Sequence, residues 1–157
     1  MKAKLIYILL ATVLFSCQPP ASSLKSKKAT VNPLIGTWEL QKGTIIKGGD
    51  TTVTDYTKGQ RLIKIINESH FAFLRHDLEQ GKDSSTAVFV AGGGSYQLEG
   101  DVYTEHLQFL NYREWEGNDF EFTVKIDGDT LIQEGIEKIE GLGVEQYNIE
   151  RYLRTTE

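Results

Sequence analysis

The chain has 157 residues, of which 39% are hydrophobic and 25% are charged, a composition typical of a globular protein rather than a disordered or fibrous one. Its formal net charge is −5 at pH 7. An acidic protein of this kind has no electrostatic attraction to phosphate backbones, so we expect no nucleic-acid partner. A single cysteine, Cys17, excludes a disulfide within the chain.

The N-terminus has the pattern of an export signal. A short basic start is followed by an apolar run from Leu5 to Phe15, which is too short to span a bilayer. The ending "LFSC" resembles the bacterial lipoprotein signal, in which the cysteine is lipidated and becomes the new N-terminus. We therefore predict a signal peptide over residues 1–16 and a lipidated Cys17, with a plain secretory signal as the alternative.

The next segment predicts a tether between this anchor and a folded domain. Residues 17–33 contain prolines, serines and lysines in place of an apolar period, so we interpret them as the lipidated cysteine and a flexible linker. Residues 34–157 then form one domain. Export and lipidation together predict a cell-envelope location, periplasmic or at the outer membrane, with the protein anchored to the membrane and not spanning it.

The dominant hydrophobic period in the domain is two, which is typical of β-strands. The clearest case is residues 119–127, where Phe120, Phe122 and Val124 alternate with polar residues. Similar runs predict eight strands, at residues 37–46, 61–66, 70–75, 86–98, 101–110, 119–127, 130–136 and 144–153. The separators are short and rich in Gly, Asp and Asn, so consecutive strands are expected to be antiparallel neighbours.

Eight such strands can form a sandwich or an up-and-down barrel, and we predict the barrel. Closure removes the two long edges that an open meander leaves, and eight strands enclose just enough space for side chains or one small ligand. The triple glycine Gly92–Gly94 interrupts one strand pattern and predicts a bend or bulge of the kind that barrels need. A phosphate-binding loop is the alternative, but no Lys-Ser/Thr and no helix follow.

The motif "IGTWEL" near the start and "ERYLR" at the end resemble the calycin group, which includes lipocalins and fatty-acid-binding proteins. The resemblance implies that Trp38, with Gly36 two residues before it, lies across the closed end of the barrel. It also implies a basic residue over the indole, either Arg151 or Arg154. Guanidinium stacked on indole would add a cation–π energy of about 0.5–2 kcal/mol.

The whole domain also resembles the lipocalin-like lipoproteins of uncharacterised function in Bacteroidetes-type bacteria, through "GGGSYQLEGDVYTEHLQFL" and "GDTLIQEG". Two features differ from fatty-acid-binding proteins. The segment "KGGDTTVTDYTKGQ" cannot form their helical lid, and Arg151 and Tyr152 are adjacent where those proteins have Arg-x-Tyr. Binding of a fatty-acid carboxylate by that mechanism is therefore not expected.

Strand parity predicts which side chains line the interior. Tyr103 and Glu105 share the more apolar face of their strand, and Tyr147 and Arg151 share a face of the last one. A pocket for a small hydrophobic or amphipathic ligand is one interpretation. The other is that Glu105 and Arg151 only pair with each other. The predicted ligand-binding residues are Tyr96, Tyr103, Glu105, Phe120, Phe122, Gln133, Tyr147 and Arg151. Gly92–Gly94 and Gly135 are expected to enlarge the cavity, and large aromatic side chains to reduce it.

Catalytic and metal chemistry have little support in the sequence. No nucleophile elbow, zinc-protease motif or nucleotide fingerprint is present, so we expect no enzyme and no cofactor. His70, His76 and His106 are too few and too widely spaced for zinc, and a haem held by one histidine is a minor alternative. The main alternative to a ligand-binding protein is an interaction lipoprotein of the envelope whose barrel is filled by its own side chains.

Overall fold

A computed structural model of the protein describes residues 32–155. The predicted signal peptide, Cys17 and nearly all of the predicted tether lie outside the described residues. Within them, two single-turn 3₁₀ helices occur, Arg113–Trp115 and Glu140–Leu142. The strands are β1 (Gly36–Lys47), β2 (Asp50–Asp55), β3 (Gln60–Ile66), β4 (His70–Asp77), β5 (Phe89–Glu99), β6 (Val102–Leu110), β7 (Asp119–Asp127), β8 (Thr130–Ile139) and β9 (Val144–Thr155).

The strands form a closed antiparallel barrel, as predicted. From β3 to β9 each strand pairs with the next, and β1 pairs with β3 on one side and β9 on the other. Eight strands therefore close the barrel, and no long edge of the meander stays unpaired. The apolar residues that alternate along these strands point inward and form one core.

An additional strand, β2, was not predicted. It pairs with the second half of β1, from Lys42 to Lys47, beyond the part of β1 that pairs with β3. Gly48 and Gly49, both with positive φ, form the tight hairpin turn. Because nearly every residue of β2 is exposed, the strand has no alternation of apolar and polar residues that would reveal it.

The triple glycine lies at a β-bulge, as predicted. The pairing register between β5 and β6 shifts between Gly93 and Gly94. A Cβ atom on Gly94 would lie 1.9 Å from the His106 carbonyl oxygen, and one on Gly92 would lie 2.7 Å from the Phe73 ring. The expectation that these glycines enlarge the cavity is wrong, because neighbouring strands and rings occupy the space that their missing side chains leave.

Gly135 also lies where neighbouring groups leave no room for a side chain. A Cβ atom there would lie 2.3 Å from the Glu121 carbonyl oxygen and 2.9 Å from the Phe122 ring. The missing side chain thus allows β7 and the Phe122 ring to approach closely, and it does not enlarge the cavity.

The loop before β5 is longer than the sequence pattern predicted. The strand begins at Phe89 and not at Thr86. Asp83 holds the preceding residues in a turn, because its side chain accepts hydrogen bonds from Ser85 and its carbonyl oxygen accepts one from Ala87. No helix within residues 32–155 is long and apolar enough to cross a membrane.

Candidate functional site

One end of the barrel is closed by Trp38. Its indole is completely buried, and its Nε1 donates a 2.8 Å hydrogen bond to the carbonyl oxygen of Leu34. Leu34 lies in a turn in which Asn32 Oδ1 accepts a hydrogen bond from the Leu34 backbone N–H, 2.9 Å away. Asn32 also donates to the Tyr96 hydroxyl at 2.7 Å, so the ordered contacts begin two residues before Leu34, inside the predicted tether.

The basic residue over the indole is Arg154. Its guanidinium carbon lies 3.9 Å from the centre of the Trp38 ring, and it donates to the carbonyl oxygens of Ile35 and Pro33 at 2.8 Å each. Gly36 has φ of +144°, and a Cβ atom there would lie 2.4 Å from Arg154 Nη1. Arg151 is exposed and does not take part. Of the two candidates from the sequence, Arg154 is the one that contacts the indole.

A buried polar centre, formed by Lys64, Glu105 and Gln133, lies inside the barrel. The Lys64 ammonium forms a salt bridge with Glu105 and donates to Gln133 Oε1 at 2.9 Å. Lys64 and Gln133 are each 2% exposed and Glu105 is 6% exposed. Because a buried charge is unfavourable unless it is paired, each of the three side chains depends on the other two.

Aromatic rings surround the Lys64 ammonium. Its nitrogen lies 5.5 Å from the ring centre of Phe71 and 5.6 Å from those of Tyr103 and Tyr152. Burial raises the pKa of Glu105, although the Lys64 charge and hydrogen bond act in the opposite direction. Lys64 therefore opposes the protonation of Glu105 that burial favours.

Above the polar centre is a cavity of about 290 Å³, here called the barrel cavity. Its apolar walls are formed by Phe73, Val90, Leu107, Leu110, Trp115, Phe120 and Phe122. Trp115 comes from the short 3₁₀ helix after β6 and packs against Phe120, with 6.1 Å between ring centres. Arg75, Glu105 and Glu137 supply the charged groups, and Tyr112 completes the lining. An apolar cavity with a few convergent polar groups is the usual form of a small-molecule site.

A smaller cavity of about 160 Å³, the inner cavity, lies around the polar centre. It shares Phe73, Glu105, Phe122 and Glu137 with the barrel cavity, so the two are adjacent. Lys64, Gln133, Glu150 and Tyr152 also line it, together with Leu62.

Two further carboxylates face this interior. Glu150 accepts a 2.7 Å hydrogen bond from the Tyr152 hydroxyl, and Glu137 accepts bonds from Gln146 at 2.7 Å and Asn148 at 3.0 Å. Burial raises the pKa of Glu137, and the negative charges of Glu150 and Glu105 raise it further. The three carboxylates therefore repel one another across a shared space.

One polar atom in the interior is unpaired. The Tyr103 hydroxyl is buried and has no hydrogen-bond partner within the described part of the chain. Burial and the neighbouring charge of Glu105 raise the pKa of this hydroxyl far above its usual range, so it stays protonated. A buried hydroxyl without a partner is unfavourable by about 1–3 kcal/mol. Tyr103 lines neither of the two cavities, and Glu105 is the side chain that acts on its hydroxyl most strongly.

The structure brings six of the eight predicted ligand-binding residues to the barrel interior. Tyr96, Tyr103, Glu105, Phe120, Phe122 and Gln133 are all buried. Glu105, Phe120, Phe122 and Gln133 line the two cavities, whereas Tyr96 and Tyr103 pack against each other below them, with 5.3 Å between ring centres.

The predicted face of β9 is wrong, and with it the placement of Tyr147 and Arg151. The inward residues of β9 are Asn148, Glu150 and Tyr152, whereas Arg151 is exposed on the outer wall. The error has a physical cause: the inward positions face a cavity with polar groups, so this strand has its more apolar residues outside. The proposed pair of Glu105 with Arg151 does not form, because Lys64 takes that place.

Lys64, Glu137 and Glu150 were missed by the sequence reasoning. In "QRLIKII" both faces of β3 carry apolar residues, so the pattern does not show which face is buried. Leu62, Lys64 and Ile66 nevertheless share one face, and this parity indicates that Lys64 lies inside if its two apolar neighbours do. Glu137 likewise shares parity with Gln133 on β8. Long charged side chains at inward positions are rare, so a pattern based on hydrophobicity assigns them to the solvent.

The histidines do not form a metal site. His70 and His76 are exposed, and His106 Nδ1 lies 2.7 Å from Asp119 Oδ1 on the outer wall. Across residues 32–155, no three His, Cys, Asp or Glu side chains are grouped so that they could hold a metal ion.

Another depression, of about 490 Å³, lies outside the barrel beside the loop before β5. It has no interior polar centre. Its one buried carboxylate, Asp77, already accepts hydrogen bonds from the Gly81 and Val88 backbone N–H groups, so it stabilises the loop. The barrel interior is therefore the better candidate site.

Comparison with known proteins assigns no relative. A scan against protein-family models finds no matching family, and a search of curated proteins finds no matching sequence. The closed eight-strand barrel is compatible with a lipocalin-like fold.

Proposed function

We propose that the protein is a lipid-anchored lipoprotein of the bacterial cell envelope that binds one small hydrophobic or amphipathic molecule in its barrel. It acts as a binding protein and not as an enzyme. The observation that carries the proposal is the barrel cavity, because its aromatic and aliphatic walls lead to the buried polar centre. A volume of about 290 Å³ is near the lower limit for small-molecule sites.

The geometry supports an amphipathic ligand better than a purely apolar one. The barrel cavity has apolar walls that include Trp115, Phe120 and Phe122, and the carboxyl groups of Glu105 and Glu137 belong to the same lining. The adjacent inner cavity is lined by more polar groups, among them Lys64, Gln133 and Glu150. A ligand with one apolar and one polar part would match this set of side chains.

Binding can be tested with a neutral apolar probe, 1-N-phenylnaphthylamine, whose fluorescence rises in apolar sites. The protein is the chain from Gln18 onward without lipid, since the core of the described residues begins at Leu34. We expect saturable binding that Val90→Phe weakens at least about tenfold, because Val90 lines the barrel cavity. Val53→Phe, the same change on exposed β2, is the control and should bind like the wild type.

Non-saturable fluorescence, or equal binding by the two valine variants, would contradict a site inside the barrel. Circular dichroism and thermal unfolding of both variants establish whether the barrel is intact. A loss of binding in Val90→Phe counts only if its unfolding remains cooperative.

The anchor is tested separately by Cys17→Ser. We expect this variant to leave the membrane fraction while the domain still folds, because Cys17 lies far before Leu34, the first core residue of the described part of the chain. Retention of the variant on membranes after a salt wash would contradict lipidation as the anchor.

A second candidate function, interaction with another protein through the outer wall, is favoured by one observation. Phe89 and Phe109 lie on the outer faces of β5 and β6 and are 63% and 66% exposed. A photo-crosslinking residue at position 109 should then capture a partner in the envelope, whereas the same residue at Val53 should not. Equal capture at both positions would contradict this function.

A further inference from the structure

The barrel interior contains more negative than positive side chains. Five charged residues line the two cavities: Lys64, Arg75, Glu105, Glu137 and Glu150. Lys64 is already paired with Glu105. This leaves two carboxylates and one guanidinium in the interior to be balanced by other groups.

Arg75 lies away from the polar centre, where its side chain is held by neutral groups. Its Nε donates to Gln60 Oε1 at 2.8 Å, and its guanidinium carbon lies 5.2 Å from the ring centre of Tyr56. Arg75 lines the barrel cavity but not the inner cavity. Although the charges of Arg75, Glu137 and Glu150 all act on Tyr56, Arg75 forms no salt bridge with either carboxylate.

Glu137 and Glu150 are held only by neutral donors. Tyr152 donates to Glu150, and Gln146 and Asn148 donate to Glu137. Within residues 32–155, neither carboxylate forms a salt bridge. The interior thus has two carboxylates with hydrogen bonds but without a counter-charge.

The space beside these carboxylates is the second observation. Glu137 and Glu150 both line the inner cavity, and Glu137 also lines the adjacent barrel cavity. An ammonium group placed there would find acceptors for its protons, because it has three donors and no acceptor.

A metal ion is a poorer match than an organic cation. The acidic side chains of residues 32–155 include no group of three placed to bind one ion. The rings of Phe73, Trp115, Phe120 and Phe122 around the barrel cavity suit an apolar tail, and aromatic faces also attract organic cations.

Resting on the function proposed above, we infer that the ligand of the barrel is a cationic amphiphile, an amine with an apolar tail. Its ammonium group lies between Glu137 and Glu150, and its tail lies against the aromatic wall of the barrel cavity. A fatty-acid anion would instead place its carboxylate among three others.

The test compares three ligands that share one tail: decylamine, decanol and decanoate. Each displaces 1-N-phenylnaphthylamine from the lipid-free chain that begins at Gln18, at concentrations below those that form micelles. We expect decylamine to displace the probe at concentrations about tenfold lower than decanol, and decanoate to be the weakest. A tenfold difference corresponds to about 1.4 kcal/mol.

Glu137→Gln and Glu150→Gln are the diagnostic variants. Each should weaken decylamine binding about tenfold more than it weakens decanol binding, because only the charged ligand loses an ion pair. Glu134→Gln is the matched control, since Glu134 lies on β8 at a position of outward parity.

The outcomes separate this inference from the proposed function. If decanol and the probe bind saturably but decylamine binds no better, the cationic ligand is contradicted and the binding function stands. If decanoate binds more strongly than decylamine, and Arg75→Gln removes this binding, the ligand is an anion and the cationic ligand is contradicted. If no compound binds saturably, both the inference and the proposed function are wrong.

Discussion

The two ends of the barrel differ in how completely their polar groups are satisfied. At the closed end, Trp38, Arg154 and Asn32 all have partners, and the indole has no exposed surface. In the open half, Glu137 and Glu150 form no salt bridge within the described residues, and a cavity remains.

With the function proposed above, stability and ligand binding depend on different parts of one sheet. The closed end stabilises the fold through dense packing, and the open half keeps groups whose burial is unfavourable until something pairs with them. Removal of a paired group should therefore lower stability, whereas removal of an unpaired charge in the open half should raise it.

The largest effect is expected for Trp38→Ala at the closed end. Removal of a fully buried indole should lower the free energy of unfolding by about 3–5 kcal/mol, because a cavity replaces the ring and Arg154 loses its contact. Urea unfolding followed by circular dichroism measures the change. If the variant is nearly as stable as the wild type, the closed end is not the region that stabilises the fold.

The next largest effect is expected for Lys64→Met in the polar centre. The change leaves Glu105 buried without its counter-charge and should lower stability by about 3 kcal/mol. The double variant Lys64→Met/Glu105→Leu should recover most of this loss, because no buried charge then remains unpaired. A double variant as unstable as the single one would contradict the pairing.

Arg154→Ala should lower stability by about 2 kcal/mol. The variant loses the cation–π contact and the hydrogen bonds to two carbonyl oxygens. Arg151→Ala, on the exposed side of the same strand, is the control and should change stability by less than about 0.5 kcal/mol. If Arg151→Ala lowers stability more than Arg154→Ala does, Arg151 and not Arg154 is the residue that stacks on the indole.

The smallest effect, and one of opposite sign, is expected for Glu137→Gln. Burial raises the pKa of Glu137 above 4.5, so the folded state binds its proton more tightly than the unfolded state. The wild type therefore loses stability as the pH rises from 4.5 through this raised pKa, and the glutamine variant avoids that loss. The variant should match the wild type near pH 4 and be more stable at pH 7.

Unfolding curves at both pH values measure this difference. Glu105 also has a raised pKa, so part of the pH dependence should remain in the variant. Equal stability of the two proteins at pH 7 would show that the Glu137 carboxylate is not strained by its surroundings.

The closed end was predictable from sequence to a greater extent than the open half. Gly36 and Trp38 form a compact motif, and the alternation in β7 indicates one wet and one buried face without ambiguity. These features depend on local patterns, which a single sequence displays.

The open half was not predictable in the same way because its inward positions are polar. On β9 the inward residues Asn148 and Glu150 are polar, which reverses the expected alternation. On β3 apolar residues occur on both faces, so the sequence pattern does not reveal that Lys64 points inward. Their partners come from other strands and appear only when the barrel closes. Strand β2 was not predicted because it has no buried face, so its sequence shows no alternation of apolar and polar residues.

The most direct test of binding in the barrel cavity is native mass spectrometry of the chain recovered from its host envelope, with a cleavable secretory signal in place of residues 1–17. We expect a bound small molecule of one mass that is absent from Val90→Phe and retained by Val53→Phe. Wild-type protein that carries no bound molecule, or an adduct that persists in folded Val90→Phe, would contradict binding in the barrel cavity.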